Sequence, residues 1–140
     1  MTETERETIM RIFWGSLPVF ALACTLMSVA AYTQEVVRPV PGYICTLLSP
    51  EDLQIADPSE LPPVLAGPSP TAERLGIPTM ITIVKWPRHQ VGGYIEMLRA
   101  NGQTGWIEAS HLRPWHSMDN TDGKCVPSLL SNGRVGTHIR

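Results

Sequence analysis

Apolar and polar positions along this chain follow two different rhythms. Residues 12–34 read IFWGSLPVFALACTLMSVAAYTQ, one apolar run without a single charged side chain. Between residues 64 and 114 the apolar positions come instead in short runs, separated by Gly, Pro and Asn, and no 3.6-residue period is present. Alternation with a period of two marks strands that bury one face. The expected strands are Val64-Leu65-Ala66, residues 80–86, residues 94–99, the run ending at Glu108, and residues 112–114. Gly67-Pro68-Ser69-Pro70 opens a long loop that runs to Pro78, Pro87 stops the second strand, and Gly92-Gly93 restart the chain.

The stretch GYIEMLRANGQTGWIEASHL at residues 93–112 carries the most information, because Asn101-Gly102 sets the register of a hairpin. A two-residue loop would place Glu96 opposite Ile107 and Met97 opposite Trp106, mixing charge into the apolar face. A three-residue loop, Ala100-Asn101-Gly102, with Gly102 in the left-handed conformation of a type I turn plus G1 bulge, pairs Ile95 with Ile107 instead. A slip of one residue exchanges the two faces completely, so the apolar pattern selects the three-residue loop. The expected core is then Val64, Ile81, Ile83, Ile95, Met97, Ile107 and Leu112. Tyr94 and Trp106 fall on the opposite face with Glu96 between them, and Trp86 and Trp115 close the neighbouring strands. Exposed aromatic side chains anchor peptides and protein partners, so these five residues form the candidate binding surface. The alternative is that the Cys45 region and the C-terminal tail cover this face, leaving the aromatics a packing role.

The first apolar run is long enough to span a bilayer as a helix, for which about 20 residues suffice. It also fits a secretory signal, with small residues preceding a cut after Ala30 or Ala31. Glu3, Glu5 and Glu7 make residues 1–11 a poor basic head, whereas a start at Met10 places Arg11 directly before the run. Cys24 after Ala21-Leu22-Ala23 is a weak match to a lipid-attachment site, since Ala21 stands where Leu is usual. The third alternative is a buried core helix; as signal or anchor, residues 1–31 place the remainder outside the cytoplasm, in the periplasm or its equivalent, with residues 12–31 as the attachment to the inner membrane if uncleaved.

Cleavage there would leave two cysteines, Cys45 and Cys125, and an even pair in an exported domain reads as a disulfide, with two buried thiols as the alternative. Around them, residues 34–42 carry Pro39 and Pro41 and read as an extended spacer. Ser49 or Asp52 would cap one helical turn with Pro50 at its first position, and Pro58, Pro62 and Pro63 mark a boundary. Toward the end, Leu129-Leu130 with Asn132-Gly133 suggest a small hairpin or an irregular cover. The organisation expected is a signal or anchor at 1–31, an extension at 32–62, a small barrel at 63–115 and a tail at 116–140.

Three stretches resemble the bacterial SH3-like domains, small extracytoplasmic β-barrels. They are VLAGPSP at residues 64–70, IPTMITIV at 77–84, and GGYIEMLRANGQTGWIEASHL at 92–112. The resemblance implies an all-β fold, a five-stranded barrel with irregular extensions and one N-terminal hydrophobic helix, without catalytic residues. It also implies a role in binding cell-wall peptides or protein partners. The groove that eukaryotic SH3 domains use for proline-rich ligands is not implied, because the first loop lacks their aromatic pair.

Chemistry narrows the reading further. The formal net charge is −2, with no basic stripe, which argues against nucleic acid. Ser110 and His111 are adjacent, and neighbours on an extended chain point to opposite faces, so they do not make a nucleophile and its base. His89, His111, His116 and His138 lack metal-pair spacing, and the acidic stretch ending in Asp122-Gly123 has Met118 where a calcium loop needs Asp. We expect neither enzyme chemistry nor a cofactor. Two functions remain: an exported module that binds cell-wall peptide or a protein partner, or a small accessory subunit that stabilises a larger periplasmic or inner-membrane complex.

Overall fold

The structure is a computed structural model and describes residues 33–119 and 122–140. The expectations for residues 1–32 (signal or anchor helix, cleavage site, start at Met10, lipid at Cys24) lie outside the described residues, as do Asn120 and Thr121. The described residues form eleven strands: β1 (Val36–Pro39), β2 (Tyr43–Leu48), β3 (Val64–Leu65), β4 (Arg74–Gly76), β5 (Ile81–Lys85), β6 (Gln90–Val91), β7 (Tyr94–Leu98), β8 (Thr104–Glu108), β9 (Leu112–Pro114), β10 (Cys125–Leu130) and β11 (Val135–Ile139). A helical turn, α1 (Pro50–Leu53), begins at Ser49, whose Oγ accepts from the Asp52 amide at 3.2 Å. Among the described residues no helix is long and apolar enough to cross a membrane.

The strands form two antiparallel sheets, one in the order β4-β3-β8-β7-β5-β2-β9 with β6 on β7, the other β1-β10-β11. The large sheet has two free ends, β4 and β9, and no ladder joins them among the described residues. Its layout corrects the sequence reading at one point. Val64-Leu65 is not the first strand of the meander, because β2 fills that place, paired with β5 on one side and β9 on the other. Residues 49–80 are thus the long first loop, and β3 and β4 are a short hairpin within it that docks on β8 through Leu65 and Trp106. The error has a plain cause: YICTLL is apolar on both faces and shows no alternation, so it does not announce itself as a strand.

The hairpin register is as the apolar pattern requires. Ile95 faces Ile107 and Glu96 faces Trp106. The Gly102 amide donates to Arg99 O at 2.9 Å with Gly102 at φ 82°, and the Arg99 amide donates to Gln103 O, which leaves Ala100-Asn101-Gly102 as the loop. Asn101 Oδ1 accepts from the Gln103 amide at 3.0 Å and tightens it.

One core cluster holds Leu48, Val64, Val84, Ile95, Met97, Ile107 and Leu112. Two expected members, Ile81 and Ile83, are replaced by Val84 and Leu48. Val84 pairs with Met97 and Ile83 with Leu98, so Ile83 points away from the cluster, toward the cleft it lines with Ile81, Val135, Gly136 and Thr137. Strand β5 is buried on both faces at its centre, so alternation of polarity carries no information about which face is which.

The second sheet accounts for this double burial. Cys45 of β2 is bonded to Cys125 of β10, closing a separation of 80 residues, and the Val135 amide of β11 donates to Ala100 O at 2.8 Å. The expected C-terminal hairpin exists as β10 and β11. The expected spacer at 34–42 does not: its residues 36–39 are β1, laid along β10. With Pro39 at its end, β1 suits only the outer position it occupies.

Candidate functional site

The five aromatic and acidic candidates separate into two places. Tyr94, Glu96 and Trp106 share one face of the hairpin, as the register dictates, but that face is not open. Tyr94 is buried, and with Pro62, Pro63, Leu65 and Pro70 it lines only a small recess of about 240 Å³. Trp106 sits opposite Leu65 and meets the His89 ring edge-on, centroids 5.2 Å apart at 65°. Glu96 Oε2 is 2.6 Å from His89 Nδ1 and 3.3 Å from Lys85 Nζ. The His89 hydrogen bond, with help from Lys85 and against the opposing effect of burial, holds the Glu96 carboxyl below its usual 4.5. The Glu96 amide also donates to His89 O at 3.0 Å. These contacts fasten the connector between β5 and β7 across the hairpin, so this group acts as a clasp and Tyr94 as packing.

Trp86 and Trp115 lie elsewhere, in a groove of about 920 Å³. Its floor is Ile44, Cys45 and Thr46 of β2 with Leu112 and Pro114 of β9, and the Cys45–Cys125 bridge lies at its base. One wall is Trp86 and Arg88 of the connector that His89 clasps; the other is Trp115, His116 and Ser117, with Gly123 and Lys124 at the entry to β10. Trp86 is 55% exposed, the largest exposure among the aromatics of the described chain that line the groove or the hairpin face. Large aromatic surface left in water beside an apolar floor is the usual composition of a ligand site, and the volume lies within the roughly 300–1,000 Å³ such sites occupy.

The sequence reading missed three groove residues, Arg88, Arg113 and Lys124. A signal for two of them was present: Trp86-Pro87-Arg88 and Arg113-Pro114-Trp115 are mirror images, each placing an arginine two positions from a tryptophan across a proline. Arg113 Nη1 donates to Ser110 O at 2.7 Å and to Leu112 O at 2.9 Å, which fixes its guanidinium at the wall.

A second polar cluster surrounds His111. Its Nδ1 is 2.8 Å from Asp52 Oδ2 and its Nε2 3.2 Å from Glu108 Oε2, while Ser49 Oγ donates to the same Asp52 oxygen at 2.7 Å. Burial raises the Asp52 carboxyl, but the hydrogen bonds from Ser49 and His111 and the charge of Arg113 outweigh it and leave the group below its usual 3.8. Both ring nitrogens of His111 face carboxylates, so neither is turned to Ser110. The cluster ties α1 to the turn before β9. Among the described residues no group of three or more His, Cys, Asp or Glu side chains is placed to hold a metal ion.

In comparison with known proteins, no family model matches this chain, and neither a curated protein nor a solved structure does.

Proposed function

We propose that this chain is an exported, non-catalytic binding module of the cell envelope and that it holds its ligand in the Trp86–Trp115 groove. The observation that carries the reading is the groove itself, in which an exposed Trp86 and a half-buried Trp115 from separate elements flank an apolar floor with three cations beside them. The finer fold assignment belongs to the same proposal. Strands β2, β5, β7, β8 and β9, with a tight 3-10 turn (Ala109–His111) before the last, follow the strand order of an SH3-like barrel, and the β3–β4 hairpin of the first loop extends it. The Cys45–Cys125 bridge supports an oxidising, extracytoplasmic location.

A second reading, the accessory subunit of a larger envelope complex, is favoured by one observation. The described segments before and after the main sheet join in a second sheet, β1-β10-β11, that adds surface beyond it. Two assays separate the readings. The full chain is sedimented with purified cell wall, and used as bait on detergent-solubilised envelopes. A wall-binding module sediments; a subunit brings down a stoichiometric partner and stays in the supernatant. If it does neither, both readings fail.

A further inference from the structure

The groove carries charge of one sign. Arg88 arrives from the connector after β5, Arg113 from β9 and Lys124 from the start of β10, and no Asp or Glu is among the described lining residues, although the chain as a whole is net −2. The carboxylates that pair elsewhere are held by other groups: Glu96 by Lys85 and His89, Asp52 and Glu108 by His111. Among the described residues the groove cations take part in none of these ion pairs. Three cations around one apolar floor, of which Arg113 also acts on Asp52, produce a local positive potential that attracts anions.

The outer edge of β9 narrows how a ligand could attach. The Leu112 amide donates to Ala109 O, the Leu112 carbonyl accepts from Arg113 Nη1, and Pro114 has no N–H. A peptide therefore cannot extend the sheet there, and recognition falls to side chains. Those side chains are Trp and Arg, the types that dominate the energetics of protein interfaces. They also alternate in kind: each tryptophan has an arginine two positions away in sequence, so apolar and cationic contacts come in pairs.

We infer that the groove takes an acidic segment of a partner protein, an extended stretch in which Asp or Glu side chains alternate with apolar ones. Its carboxylates pair with Arg88, Arg113 and Lys124, and its apolar side chains cover Trp86 and Trp115. The spread of three cations over three elements matches several carboxylates along one chain better than a single anion. The inference rests on the reading of the groove as the ligand surface and names the chemistry of its occupant.

The test uses the full chain in a non-ionic detergent and fluorescein-labelled, end-blocked peptides of alternating Glu and Leu, Gln and Leu, or Lys and Leu, followed by anisotropy. The Glu–Leu peptide should bind about tenfold more tightly than the Gln–Leu peptide, and added salt should weaken it, because exposed pairs are screened. The double variant Arg88→Glu with Lys124→Glu should lose the Glu–Leu peptide and gain the Lys–Leu peptide, a swap that an unfolded protein would not show. Arg134→Glu, outside this groove, should leave binding unchanged. Equal binding of the Glu–Leu and Gln–Leu peptides overturns the inference, as does an equal loss with Arg134→Glu. If the Glu–Leu peptide fails while cell wall sediments with the wild type and not with Trp86→Ala, the acidic segment is wrong and the groove stands. If nothing bound by the wild type depends on Trp86, both fall.

Discussion

At the scale of single residues, Gly105 shows how closely the first loop is laid on the hairpin. It stands opposite Met97 where β3 crosses, and a Cβ there would lie 2.7 Å from Val64 Cγ1 and 3.4 Å from Arg99 Cδ. Val64 is 2% exposed and has nowhere to retreat. Gly105→Ala should therefore cost about 1–3 kcal/mol, read from the denaturant midpoint. Glu96 predicts a dependence on pH. Its carboxyl is held below 4.5 in the fold, so its ionised form stabilises the fold above that value, and the contribution fades as pH falls through the lower folded value. Glu96→Gln should lower the melting temperature near neutrality, and the gap from the wild type should narrow on acidification below 4.5. A constant gap across pH would remove the clasp. The sequence placed Glu96, Tyr94 and Trp106 on one face correctly, because the period of a strand is fixed. A covered face was the alternative, with the Cys45 region and the C-terminal tail as its cover; prolines 62, 63 and 70 line the recess at Tyr94 instead, and they reach it only through the path of the first loop.

Among the elements, the second sheet decides most of what differs from expectation. The even cysteine pair was legible, but not that it links β2 to β10 and so buries the second face of β5. That covering explains why Ile83 is buried away from the main cluster, and why β2 shows no alternation. The register of β7 and β8 was legible because only one answer kept Glu96 off the core face. The bridge closes a separation of 80 residues, and the chain-entropy relation gives it about 4–5 kcal/mol. Cys45→Ser with Cys125→Ser should lose up to that amount in guanidinium unfolding; no loss would mean the second sheet holds without it. Ellman titration of the unfolded wild type should find neither Cys45 nor Cys125 reactive before reduction.

For the molecule as a whole, the groove is a product of assembly. Its residues come from β2, the connector after β5, β9 with the chain beyond it, and the start of β10, stretches brought together by the sheet order and the disulfide. Sequence pattern located Trp86 and Trp115 as aromatics at strand ends and could not join them, because their proximity depends on β2 lying between β5 and β9. The same assembly closes the hairpin face, moving the candidate surface from Trp106 to Trp86. The paired substitutions Trp86→Ala and Trp106→Ala test that shift most directly, each scored for melting temperature and for binding of whichever envelope component the wild type retains. Trp86→Ala should abolish binding at an unchanged melting temperature, and Trp106→Ala should lower the melting temperature while the folded fraction still binds. Binding lost with Trp106→Ala at full stability, or kept with Trp86→Ala, would contradict the account.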